Sequence, residues 1–132
     1  MLNSNSGFAA VNKFQNMSDK KIFIFSKHLQ WLSYKQTAET AKNIGFDGID
    51  LTVRPDGHVL PENAEKDLPE AVSAIRKAGI IIDTITTAIT SIETPNAENI
   101  VRTAGELGVK QYRMGWIKYN VNIFFDQEFW VQ

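Results

Sequence analysis

The chain has 132 residues, 43% of them hydrophobic and 22% charged, with a net charge of −1 and no cysteine. That length suits one domain around a single core, and the missing cysteine excludes disulfides, thiolate metal sites and cysteine nucleophiles. The charge balance lacks the basic face of a nucleic-acid binder, no apolar run is long enough to span a bilayer, and a cytoplasmic protein is expected.

Residues 1–20, "MLNSNSGFAAVNKFQNMSDK", are polar and rich in Asn and Ser. They lack the basic start and apolar stretch of a signal peptide and read as a disordered leader, with Met17 a candidate natural start. "KIFIF" (21–25) is a short apolar run, expected to form a strand covered on both faces. "SYKQTAETAKNIG" (33–45) predicts a helix: Ser33 is the cap, Gln36 completes a capping box, and Gly45 is the left-handed stop. Its apolar stripe is Tyr34, Ala38, Ala41 and Ile44. "GIDLTV" (48–53) reads as the second strand.

The same grammar returns twice. "DLPEAVSAIRKAG" (67–79) offers Asp67 as cap, Glu70 three residues on, the stripe Leu68, Val72 and Ile75, and Gly79 as terminator. The acids around it, Glu62, Glu65, Asp67 and Glu70, suit a helix entry favoured by the helix dipole. "IIIDTITTAI" (80–89), rich in β-branched residues, is strand three. "TPNAENIVRTAGELG" (94–108) has Thr94 as cap, Pro95 in the first turn and Gly108 at the end, and "VKQYRMGW" (109–116) is strand four. Four strands alternating with three helices predict an α/β fold of parallel (βα) repeats. A doubly wound sheet suits the length, although no strand-to-helix turn carries a GxGxxG or Walker loop. A partial TIM barrel, about half of eight βα units over residues 21–119, suits the residues at the strand ends.

Those ends are polar. Strand one runs into Ser26, Lys27, His28 and Gln30, strand two into Arg54, Asp56 and His58, strand three into Thr86 and Thr87. Strand four runs into Arg113, Trp116, Lys118 and Tyr119. In a parallel sheet these ends share one face, where barrel enzymes build their sites. Arg54 and His58 form the most suggestive pair, in a loop shaped by Pro55, Gly57 and Pro61. Trp116 and Tyr119 can stack on a sugar ring or simply pack. Asp50 and Asp83, inside strands, are expected to be structural and bonded to neighbouring backbone.

With the elements placed, "FSKHLQWLSYKQTAETAKNIGFDGIDLTVRPDGHVLPENAEKDLPEAV" and "YRMGWIKY" resemble the first half of the xylose isomerase-like TIM barrels. That family includes sugar phosphate isomerases/epimerases and, more distantly, apurinic endonucleases. The resemblance implies isomerisation or epimerisation of a sugar or sugar phosphate, by proton transfer through an enediolate at a divalent metal (Mn, Mg or Zn). The metal ligands and proton-transfer carboxylates come from the second half of such barrels, so none is assigned here. By the same resemblance Lys27, His28, Arg54, His58, Arg113, Trp116 and Lys118 would hold substrate. The chain alone is expected to be catalytically incomplete. "NVNIFFDQEFWVQ" (120–132) departs from the helix expected after strand four. Two other readings stand beside the first. One is a half-barrel interaction or sugar-binding module that self-associates through exposed sheet edges. The other, endonuclease chemistry, is disfavoured by a total of two histidines.

Overall fold

A computed structural model describes residues 20–117. The leader to residue 19 and the tail from Lys118 onward, including Tyr119, lie outside the described residues, and with them the expectations for those segments. The elements run β1 (Phe23–Phe25), α1 (Tyr34–Ile44), β2 (Gly48–Val53), α2 (Ala64–Lys77), β3 (Ile81–Thr87), α3 (Ala97–Glu106) and β4 (Gln111–Arg113). Short 3-10 turns follow β1 at Ser26–Leu29 and precede α2 at Pro61–Asn63. The alternating α/β fold read from the sequence is present.

All four strands are parallel and stand in the order β1-β2-β3-β4. Sequential order with right-handed crossovers sends every helix to the same side of the sheet. A single core cluster bears this out: Ile49, Leu51, Val53, Ile82 and Ile85 of the strands are buried together with Ala38 and Ala41 of α1, Leu68, Val72 and Ile75 of α2, and Ile100 and Ala104 of α3. This is the arrangement of a barrel sector rather than of a doubly wound sheet, which places helices on both faces.

Alternation then decides the opposite face. Between Ile49, Leu51 and Val53 fall Gly48, Asp50 and Thr52, all buried as well. Gly48 leaves room for the Phe23 ring, which a Cβ there would meet at 2.2 Å and displace. The strand covered on both faces is therefore β2. β1, for which that was expected, is only half-buried along its length, since it stands at the edge of the described sheet.

Local signals succeed where their partners are close in sequence. Ser33 and Gln36 form the capping box of α1, and Gly45 closes it at φ 102°. Gly79 and Gly108 likewise take positive φ, 79° and 72°. Other expectations are corrected. Asp67 does not cap α2: the 3-10 turn at Pro61–Asn63 feeds the helix from Ala64, leaving Asp67 in the first turn and Pro69 inside the helix. Thr94 does not cap α3, which starts at Ala97 behind a left-handed Asn96. Its hydroxyl instead accepts from the amides of Thr90 and Ser91, closing the turn before the helix. Ile44 is 61% exposed; Phe46, past the glycine, packs on the core instead, the hydrophobic contact that accompanies such helix ends. β4 is three residues long rather than eight, and all three are exposed. No described helix is long and apolar enough to cross a membrane.

Candidate functional site

At the C-terminal ends of the strands, on the face away from the helices, lies a cleft of about 400 Å³. Phe25 closes β1, opposite Asp50 of β2 in the parallel register. Its ring is a platform: the Arg54 guanidinium carbon lies 5.7 Å from the ring centroid and that of Arg113 lies 5.4 Å from it. Both are within range of a cation–π attraction. Lys27 stands beside them, Thr86 and Thr87 end β3, and Trp116 forms a rim 94% exposed to solvent.

Arg54 and Arg113 are held in different ways. After β2 the chain folds back on itself: the Arg54 amide donates to Val59 O, the Val59 amide to Thr52 O, and the Gln30 side-chain amide donates to Asp56 O. This loop-to-loop bond fixes the direction in which Arg54 leaves the sheet. Arg113 is fixed from below. Its guanidinium donates to Asp50 Oδ2, while the Thr86 hydroxyl donates to Asp50 Oδ1 at 2.8 Å. Asp50 is therefore structural, as expected, but side chains of β3 and β4 hold it, not neighbouring backbone. Asp83 also finds a side-chain partner, Lys110 Nζ at 2.9 Å. Beyond β4, Gly115 donates its amide to Ile89 O. A Cβ on Gly115 would stand 2.7 Å from Ala88 O, so only glycine lets the two loops approach this closely and shape the cleft wall.

Of the residues singled out in the sequence, Lys27, Arg54, Arg113 and Trp116 come together here. His28 stands edge-on to Phe25, with centroids 6.1 Å apart, but is not part of the cleft lining. His58 turns the other way. Its Nε2 lies 3.1 Å from Leu29 O and 3.3 Å from Thr37 Oγ1, and Tyr34 donates to its carbonyl oxygen. A carbonyl only accepts, so Nε2 carries the proton. Burial lowers the His58 pKa below its ordinary value, opposed by its hydrogen bonds to backbone. The Arg54–His58 pair of the sequence is thus split, one residue in the cleft and one behind it. Lys118 lies outside the described residues.

The residue that sequence reasoning missed is Phe25, read as plain strand. Its signal was available: as the last apolar residue before "SKH", it is the one strand-one residue level with the loops.

Among the described residues no three His, Cys, Asp or Glu side chains converge. Asp50 is engaged by Arg113 and Thr86, and His58 by Leu29. Committed to these protein partners, the described residues form no divalent-metal site. A larger concavity, about 620 Å³, lies between α1 and α2. Long side chains of both signs line it, among them Lys35, Glu39, Lys42 and Glu70, and no strand end reaches it. The strand-end cleft is the better candidate. No known protein-family model and no curated protein sequence matches the chain.

Proposed function

We propose that this chain is the substrate-holding sector of a sugar isomerase or epimerase of the (βα)-barrel type, gripping a small sugar at the strand-end cleft. What carries the reading is the convergence of side chains from four sequential parallel strands onto one small concavity: Lys27 after β1, Arg54 after β2, Thr86 and Thr87 on β3, Arg113 at the end of β4. Its volume suits a small molecule, and an exposed Trp116 at the rim suits the face of a sugar ring. In such a reaction a proton moves between adjacent carbons through an enediolate. The contribution of these cations would be to orient the sugar and to stabilise negative charge as it develops on oxygen.

Titration of ¹⁵N-labelled protein with a series of sugars and their phosphate esters tests this. Saturable shifts centred on Lys27, Arg54, Thr86 and Arg113 are expected. Absence of saturation with every sugar, or shifts centred between α1 and α2, would show the reading to be mistaken.

A second reading, self-association, is favoured by a separate observation. Beside β4 an apolar groove of about 600 Å³ is lined by Ile92, Val101, Tyr112 and Met114, and the outer edges of β1 and β4 are open among the described residues. Exposed apolar surface next to an open strand edge is an association site, and a parallel edge admits a strand of a second copy. Light scattering decides: a dimer supports this reading, and a monomer at high concentration removes it.

A further inference from the structure

We propose that the apolar groove beside β4 is the seat of this chain's own C-terminal segment, with Val121, Ile123 and Phe125 laid against α3 and β4. This face is separate from the sugar cleft, and its occupancy does not depend on what the cleft holds. Alternation along β4 sends Arg113 to the cleft and Tyr112 to the other side of the sheet, into the groove. There Tyr112 and Met114 meet Ile89 and Ile92, from the loop after β3, and Val101 of α3. All of these but Ile89 are exposed, Ile92 to 91%. Glu98 is the only charged residue among those lining the groove. Apolar side chains scattered singly on a surface need no explanation, but here three chain segments bring theirs to one hollow of about 600 Å³.

The sheet adds a second demand. β4 pairs with β3 on one side, and its other edge is open among the described residues, presenting unpaired backbone groups. An occupant that brings both an extended backbone and alternate apolar side chains satisfies edge and groove together. The stretch "VNIFF" (121–125) has that form: Val121, Ile123 and Phe125 fall at alternate positions, hence on one face of an extended chain. It contains no charge and no proline, either of which would oppose pairing at an edge. It is also close at hand. Met114 lines the groove and Val121 follows seven residues later, which bounds their separation at ~25 Å. A segment tethered so near competes at high effective concentration with any free strand. That favours the chain's own segment over the second copy considered above, and the two occupants exclude each other.

Paramagnetic labelling of the full chain tests the assignment. The chain has no cysteine, so a nitroxide on Glu98→Cys marks the groove alone. With ¹⁵N and nitroxide on the same chain, diluted into an excess of unlabelled protein, the amides of residues 121–125 are expected to lose most of their intensity. A nitroxide on Lys35→Cys, at the concavity between α1 and α2, should leave them sharp. Adding Val101→Asp, which puts a charge in the groove, or Ile123→Asp, which puts one on the segment, should restore the signals beside the Glu98→Cys label. Circular dichroism confirms that each variant is folded. Full intensity beside the Glu98→Cys label overturns the assignment, as does a loss that survives both aspartate substitutions. Equal loss with the two labels overturns it in favour of unspecific collapse. A loss seen only when ¹⁵N and nitroxide reside on different copies overturns it in favour of self-association.

Discussion

β2 and β4 belong to one parallel sheet, two places apart, and different forces hold them. All six residues of β2 are buried, between two neighbouring strands and under α1 and α2. All three residues of β4 are exposed, and side chains fasten that strand to β3: Thr84 donates to Gln111 Oε1, Thr87 to Arg113 O, and Lys110 pairs with Asp83. The first is a hydrophobic strand with polar residues on its inner face. The second is a polar seam. Stability concentrates in the one and adaptability in the other, and the cleft lies where they meet, with Arg54 leaving β2 and Arg113 ending β4.

The contrast breaks most clearly at Leu51, fully packed in the shared core. Leu51→Ala is expected to cost ~3 kcal/mol, seen in urea melts as a lower midpoint at nearly unchanged slope. An equal cost from removing any β4 side chain would erase the distinction.

Asp50 links the two strands and should fall between them. Asp50→Ala leaves the Thr86 hydroxyl without its acceptor and frees Arg113, an expected loss of ~2 kcal/mol. Arg113 resonances should broaden while those of the helices stay put.

The loop after β2 carries a pH dependence of its own. His58 is half-buried with a depressed pKa, chiefly from desolvation, and its Nδ1 has no partner. The unfolded chain takes up this proton near its ordinary value of 6.5, the folded chain only at lower pH. The His58 contribution is therefore complete above pH 6.5 and is lost as pH falls through the depressed value. His58→Gln should flatten the melting temperature over that acid range, and an unchanged slope would show that another group is responsible.

Smallest is the exposed Lys110–Asp83 pair. Lys110→Ala should cost at most ~0.5 kcal/mol, and the cost should vanish in molar salt as screening shortens to ~3 Å. A larger, salt-resistant loss would mean that burial, not charge, secures β4.

What was legible in the sequence follows the same division. The capping box at Ser33 and Gln36 and the stops at Gly45, Gly79 and Gly108 are local, so a few residues specify them. "DLPE" mimics a helix start, with Asp as cap and Pro in the first turn, yet the turn at Pro61–Asn63 runs straight into α2 and overrides it. Alternation put Asp50 and Thr86 within strands, but not against each other. Their contact joins residues 36 apart, and that of Asp50 with Arg113 joins residues 63 apart, through a register that shifts between Gly48 and Asp50. Lys27, Arg54 and Arg113 could be placed at strand ends from chain order alone. Their meeting around Phe25, and the departure of His58, depend on how loops fold back, which Val59 and Gln30 determine from a distance.

The Asp50–Thr86–Arg113 linkage runs crosswise to the backbone ladders, stitching three neighbouring strands from one side. Peeling the outermost strand away must therefore tear a lateral stitch as well as unzip a ladder, so its amide protons should exchange with solvent more slowly than its shortness and exposure would suggest. A rim residue that serves as fastener thus ties the mouth of the cleft to the buried strand beneath it.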